Sequence, residues 1–305
     1  MSWLADDDET EDDVPRHRQQ SEEQLDIIAS AASDVLLPTG ILSWSQMNLY
    51  MTCGERYYRK YVLKTPQPNS SNLAHGRMLH EVMEEMHKYK MINNNEMPDR
   101  ERHQDMISDL VQNFDAEVDT WDVKVPDANV AETSARELSD IYYEERLPQV
   151  RPRAVEHKVV GLVRGRVPFQ GFIDLVDKNP MEPDDYTDPL VDPHVPVPGD
   201  VIIDLKMTGK KYGPRDVQDH PQLTLYAAMT GVMDVGFDLL IQKKNSEYVG
   251  QRAIRSIADK EHVFDLVEDV AAGISSGYFP KTSPMSWACD EKWCPYYGSC
   301  RGRKR

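Results

Sequence analysis

Long apolar runs are missing from this 305-residue sequence. Its apolar stretches are short, Val201-Ile202-Ile203 among them, against the ~20 consecutive apolar residues a membrane-spanning helix needs. No segment therefore reads as a span. Residues 6–13 carry seven acids where a secretory signal would have a positive start and an apolar core, so a cytoplasmic location is expected. Cysteine is scarce. Four residues make too thin a disulfide framework for this length, and three of them crowd the last 17 residues, which suits ligands better than bridges. Basic residues are outnumbered, 35 Lys and Arg against 52 Asp and Glu, for a net charge of −17. That counts against a general nucleic-acid binder, because phosphate contacts need cations. The deficit is uneven, however: the segment 179–200 holds six more acids, so a local basic groove remains compatible with the total. Hydrophobic content of 40% and charged content of 29% fit a soluble globular protein of one large domain or two small ones. Repeats and extended low complexity are lacking.

Along the chain, residues 1–38 are polar and acidic without sustained periodicity, and read as a disordered tail. Ser43, with Gln46 three residues on, predicts a capped helix start. Met47, Tyr50, Met51, Tyr57, Tyr58 and Tyr61 would form one face of that helix. A polar break over 66–72 precedes a helix near 73–90, with Leu79, Val82, Met83 and Met86 at helical spacing. Two more helices are expected over 101–121 and 131–147, so residues 39–150 form a helical region. From 151 to 280 strands dominate. Residues 154–163 and 167–176 alternate as a hairpin around Arg164-Gly165-Arg166, and 201–205 reads as a buried strand. Six prolines between 180 and 198 bar that segment from a central sheet and mark 179–200 as an excursion between neighbouring strands. A helix over 215–230, strands at 235–242 and 247–254, and a helix over 259–276 follow. Residues 281–305 form a cysteine-rich cap with a basic end. The order is α/β: helices, then a mixed sheet, then a cap.

Four motifs carry chemistry. His80 closes Gly76-Arg77-Met78-Leu79-His80 on an early helix. Asp174 follows Gly171-Phe172-Ile173 on a strand. Asp204-Leu205-Lys206 lies on another strand, where Asp204 and Lys206 project to one face. Gln222 and Tyr226 sit one turn apart on a helix. Carboxylates that hold a divalent ion, with a cation beside the attacking water, are what phosphodiester hydrolysis requires. Singly each motif is weak: Asp-x-Lys is common, and a helical His or a Gln/Tyr pair ordinarily serves packing. Their order and their elements make the set specific. Cys53 and the trio Cys289, Cys294 and Cys300 form a separate thiol group, for which zinc and an iron–sulfur cluster are both chemically suitable.

In this order the residues resemble the RecB-like branch of the PD-(D/E)XK nucleases. The likeness runs from about Ser43 to Cys300, and it is nearest the iron–sulfur exonuclease group that includes CRISPR-adaptation nucleases and phage relatives. The resemblance implies a restriction-endonuclease-like mixed-sheet core with an N-terminal helical region and a C-terminal cysteine-ligated cap. It implies Mg²⁺ or Mn²⁺ held by His80, Asp174, Asp204 and the Leu205 carbonyl, with Glu156 as a further acidic contributor. Lys206 would act on the attacking water, and Gln222 and Tyr226 on DNA, with Arg77, Lys210, Lys211 and Arg215 nearby for phosphates. Cys53, Cys289, Cys294 and Cys300 would bind one [4Fe–4S] cluster that pins the chain's two ends, with Zn²⁺ the chemical alternative. The x4 gap after Cys289 departs from the x2 more usual in the group, and the 29 residues between Asp174 and Asp204 include the proline-rich excursion. The implied function is metal-dependent DNA exonuclease activity on single strands or ends, in recombination, repair or phage DNA metabolism. Recombination or replication proteins would be its partners, and no membrane is involved. A non-catalytic DNA-end-binding or assembly subunit on the same fold is the alternative.

Overall fold

A computed structural model describes residues 35–66, 71–119, 128–178, 192 and 194–301. The expected acidic tail lies outside these residues as far as position 34, as do 179–191 of the proline-rich excursion and the basic residues 303–305.

Strand β1 (Leu42–Ser43) runs directly into helix α1 (Trp44–Thr52). The expected cap forms, with the Gln46 N–H donating to the Ser43 hydroxyl at 3.4 Å. The reciprocal half of the capping box does not. The Gln46 side chain turns instead to the preceding loop, donating to the Ile41 carbonyl at 3.3 Å and accepting from the Thr39 hydroxyl at 3.0 Å. Nor is the Met- and Tyr-rich stretch one helix. Cys53 is extended (φ −165°), α2 (Gly54–Tyr57) restarts, and a π-helical turn covers Tyr58–Val62. The cause is tertiary. The Glu55 N–H donates to the Pro280 carbonyl at 3.2 Å, and a side chain at Gly54 would meet Pro280 at 2.6 Å. The C-terminal segment packs into the break.

Helices α3 (Ser71–Ile92), α4 (Arg100–Asp119) and α5 (Ala128–Glu145) follow the expected order, and Pro148 lies in a short 3₁₀ turn after α5. Leu79, Val82, Met83 and Met86 form the anticipated apolar face of α3. It packs with Ile107, Leu138 and Tyr142 against Leu175, Ile203 and Leu205 of the sheet.

That sheet comprises β1, β2 (Pro152–Val163), β3 (Val167–Asp177), β4 (Val201–Thr208), β5 (Asp234–Ile241) and β6 (Glu247–Ile254). The β2–β3 hairpin turns through Arg164 and Gly165, both at positive φ, as Gly165 readily allows. β3 pairs antiparallel with β4, Asp177 opposite Val201, so the excursion does join neighbouring strands. β4 and β5 are parallel, and β6 is antiparallel to β5. The helix expected over 215–230 is two, α6 (Pro214–Gln218) and α7 (Pro221–Thr230). Pro221 holds His220 extended and starts a new helix at its own N1 position. α7 and α8 (Ile257–Ser275) cover the opposite side of the sheet from α3–α5.

A buried ionic network locks the layers. Arg146, just past α5, donates to Asp177 at 2.7 Å and to Asp238 at 2.8 Å, joining the helical layer to the end of β3 and the middle of β5. Arg153 binds Asp200 through two contacts of 2.6 and 3.1 Å, fixing the return of the excursion onto β2.

Candidate active site

The Leu205 peptide is the centre of the site. Its N–H donates to Asp174 Oδ2 at 2.7 Å, and its carbonyl accepts from His80 Nε2 at 2.9 Å. Because a carbonyl only accepts, Nε2 carries the proton in this arrangement. His80 Nδ1 stands 3.8 Å from the same Asp174 oxygen. An α3 imidazole, a β3 carboxylate and a β4 carbonyl thus converge, although 125 residues separate His80 from Leu205. Strand alternation sends the Leu205 side chain into the helical core and Asp204 and Lys206 to the other face. There Asp204 is 1% exposed, with Lys206 Nζ 2.7 Å from its Oδ2. That oxygen makes no well-directed hydrogen bond within the protein.

Glu156 completes the cluster. It lies between the pairs Val155↔Leu175 and His157↔Ile173, across from Asp174, with φ +49°. A left-handed conformation costs a residue with a Cβ about 1–2 kcal/mol, strain of the kind found at functional sites. Among the described residues, His80, Glu156 and Asp174 are the one trio of His, Cys, Asp or Glu whose ligand atoms all lie within 4.8 Å of one another. Asp204 is not in the trio, so the structure groups the less expected acid with His80 and Asp174. Glu156 is distinguished by backbone geometry, for which its sequence position gives no signal.

Electrostatics mark the same residues. Burial, then the nearby Asp174, pushes Glu156 up to about 7. Burial and then Asp204 push Asp174 up to about 6, against the pull of His80 and Lys206. Burial by itself would lower Lys206, but Asp204 and Asp174 more than offset it, and the ammonium is held protonated. Carboxylates that raise one another in this way, beside an imidazole and a carbonyl, form an oxygen-rich donor set that suits a divalent cation.

Gln222 donates to the Tyr226 hydroxyl at 3.1 Å, so the pair shares a face as expected. Tyr226 is buried, and burial raises it to about 12. A side chain at Gly171 would come within 2.5 Å of its ring, which is why a glycine precedes Asp174 in that run. Lys210, Lys211 and Arg215 are exposed on the approach to α6, while the side chain of Arg77 lies outside the described residues. His220 was not anticipated. Its ring meets Trp44 at 5.7 Å and Phe237 at 4.9 Å, and burial lowers it to about 4.

The four cysteines line one pocket, together with Arg56, Arg59 and Arg301. Cys53 sits at the α1–α2 break, Cys289 ends a 3₁₀ turn, and Cys300 lies in α9 (Tyr297–Arg301). All four are free thiols. Arg301 Nε lies 3.2 Å from Cys289 Sγ, and burial raises the Cys294 thiol. The Tyr296 hydroxyl donates to the Thr65 carbonyl at 2.9 Å, and Arg59 donates to Ser299 at 3.0 Å. These contacts dock the cap against the N-terminal segment.

The architecture is that of a restriction-endonuclease-like core, a mixed sheet whose adjacent strands deliver carboxylates to one point. The family model of the PD-(D/E)XK nuclease superfamily matches residues 41–301, and the chain belongs to that superfamily. Its members hydrolyse nucleic acid with divalent cations such as Mg²⁺ or Mn²⁺. No curated protein matches the chain. Among solved structures, SSO0001 is similar at 10% identity and a TM-score of 0.40, over 94% of this chain and 98% of that one. A candidate exonuclease from Eubacterium rectale is similar at 13% identity and a TM-score of 0.47, over 82% and 86%. Both are distant. Among the described residues, no helix is long and apolar enough to cross a membrane.

Proposed function

We propose that the chain is a RecB-like iron–sulfur deoxyribonuclease that digests single-stranded DNA or DNA ends as an exonuclease, in recombination, repair or phage DNA metabolism. The observation that carries this reading is the Leu205 peptide held between His80 and Asp174, with buried Asp204 paired to half-buried Lys206 on the adjoining face. His80, Asp174, Glu156, Asp204 and the Leu205 carbonyl are the groups that would hold Mg²⁺ or Mn²⁺. A bound cation of this kind polarises the phosphate and lowers the pKa of a water. The chain's own contribution is positional. Lys206, kept protonated by the acids beside it, holds the attacking oxygen in line. Tyr226 fixes Gln222, which then meets the strand, while Lys210, Lys211 and Arg215 meet phosphates.

Cys53, Cys289, Cys294 and Cys300 would hold a [4Fe–4S] cluster. Four thiolates suit zinc or a cluster equally by chemistry, and the resemblance of this ligand set to the iron–sulfur exonuclease group is what favours the cluster. The site occupies the seam between the cap and α2, where it would reinforce the docking contacts.

End-labelled linear single strands, linear duplex and circular single strands, incubated with Mg²⁺ or Mn²⁺ and with EDTA, test the reading. Linear DNA should be lost from an end and circles spared, with EDTA abolishing the loss. Asp204→Asn and Lys206→Gln should each lower the rate at least a hundredfold while the fold survives. Cleavage of circles would make the protein an endonuclease. Binding of ends without cleavage under either cation would leave an assembly subunit.

A further inference from the structure

Glu156 and Asp174 face each other across β2 and β3, and the register continues from them to Lys158 opposite Phe172. A side chain at Gly171 would meet the Tyr226 ring, and Ile173 packs in the same cluster as Tyr226, so these two positions point toward α7. By alternation Phe172 and Asp174 point the other way, toward α3. On β2, Val159 packs in that same cluster and a side chain at Gly161 would meet Met229 of α7. Lys158 therefore points with Phe172. The pair shares a face with the cation site, its Cβ atoms ~5 Å apart, and Phe172 stands ~7 Å along β3 from Asp174.

Phe172 is 49% exposed, the one exposed position of β3. The topology explains the exposure. β2 covers one edge of β3, while the other edge pairs with β1 at Phe169 and Gln170 and with β4 from Leu175 to Asp177. Among the described residues, no strand pairs with 171–174 on that second edge, and the sheet opens there beside Asp174. A single exposed apolar side chain on an ordinary surface signifies little. This one lies in an interior strand, at an opening next to the carboxylates. Across from it stands an ammonium that no carboxylate pairs with among the described residues. A cation for the backbone and an aromatic face for a base are the two components of single-strand recognition.

We propose that Phe172 is a substrate-positioning residue whose ring stacks on the base next to the phosphate at the cation site, while Lys158 meets a neighbouring phosphate. The identity of the strand as substrate rests on the deoxyribonuclease reading, but the stacking does not depend on cleavage. The contact selects unpaired DNA. A ring can lie on a base only where that face is free, which a single strand offers and the interior of a duplex does not. A docked protein fits this position less well, because whatever covers Phe172 also lies over Asp174 and Glu156 and would close the site to its substrate.

The test measures anisotropy of three fluorescent probes on the full-length Asp204→Asn protein with Ca²⁺ at low salt: oligo(dT), a base-free strand of the same length, and a blunt duplex. Adding Phe172→Ala should weaken oligo(dT) binding about tenfold, from one lost stack, and leave the base-free strand and the duplex within about twofold. Phe172→Trp should retain most of the affinity. Phe172→Leu, which keeps apolar volume without a ring, should lose as much as alanine. Lys158→Gln should weaken oligo(dT) and the base-free strand alike and lower the salt slope of each by ~0.7, as one phosphate contact requires. Unchanged oligo(dT) affinity in the alanine variant would overturn the stacking. So would an equal loss on the base-free strand, or a leucine variant that binds like its parent, since either makes Phe172 a packing residue. If the wild-type protein cleaves DNA while the alanine variant binds as tightly as its parent, only the stacking falls. If the protein cleaves nothing yet Phe172 governs oligo(dT) affinity, only the nuclease reading falls.

Discussion

Replacing Glu156 with glutamine should make the cation-free protein more stable while impairing cation binding. In the folded chain Glu156 is pushed from 4.5 to about 7, mainly by burial and then by Asp174. A carboxyl whose folded pKa is raised keeps a proton that the unfolded chain has already released, so it costs stability as pH rises from 4.5 to 7. Above pH 7 the full penalty applies, and below 4.5 it vanishes. At ~1.4 kcal/mol per unit the shift corresponds to about 3 kcal/mol, and partial solvent access reduces this to about 2 kcal/mol. Glutamine keeps the shape and removes the charge. In EDTA at pH 8 the variant should melt about 5 °C above wild type, given ~2–4 °C per kcal/mol for a chain of this size. At pH 4.5 the two should coincide. Adding Mn²⁺ at pH 8 should reverse the order, because wild type gains by mass action and the variant, short of one ligand, gains less. Differential scanning calorimetry at the two pH values, with and without Mn²⁺, reads all four states. A variant that melts no higher than wild type at pH 8 in EDTA, or one whose advantage is the same at both pH values, would refute the crowded-carboxylate argument.

Two further outcomes concern groups outside the divalent-cation site. Arg146→Met takes the buried guanidinium from both carboxylates and leaves Asp238 with Arg252 at 3.1 Å and Tyr248 at 2.9 Å, and Asp177 with the Arg151 N–H at 2.7 Å, so it should cost about 3 kcal/mol. Urea midpoints would show this, and Asp238→Asn added to it should recover part of the loss. Serine at any one of Cys53, Cys289, Cys294 or Cys300 should remove visible absorption from anaerobically purified protein and lower its melting temperature at the same time. A colourless wild-type preparation containing zinc would exchange the metal without touching the active-site reading.

Much of this molecule was legible because its signals are local. Alternation across 201–205 correctly placed Asp204 and Lys206 on one face, and a single helical turn correctly paired Gln222 with Tyr226. The β2–β3 hairpin announced itself through Arg164-Gly165-Arg166. The split between α6 and α7 was also written locally, in Pro221, which starts a new helix after the two-residue break at Asp219 and His220. What local patterns do not carry is any contact whose partner lies far along the chain. The break at Cys53 depends on Pro280, and Arg146 finds Asp177 and Asp238 at separations of 31 and 92 residues.

Glu156 shows the same limit inside the site itself. Motif order identifies which acids belong to a cation site, since each motif is a short run on one element. It does not say which oxygens converge, because that is set by where β2 turns against β3 and by the one residue there that adopts a left-handed conformation. Asp204, the more conspicuous acid by sequence, points from β4 toward Lys206, whereas Glu156 meets Asp174 and His80. The division has a chemical consequence. The acid paired to Lys206 keeps that ammonium charged, and it also raises Asp174 as Asp174 raises Glu156, so the three carboxylates form one crowded group that a bound cation would relieve. The raised carboxyls at Glu156 and Asp174 are therefore costs to the cation-free fold that are recovered when a cation binds, which is why stability and cation affinity should move in opposite directions when Glu156 is neutralised.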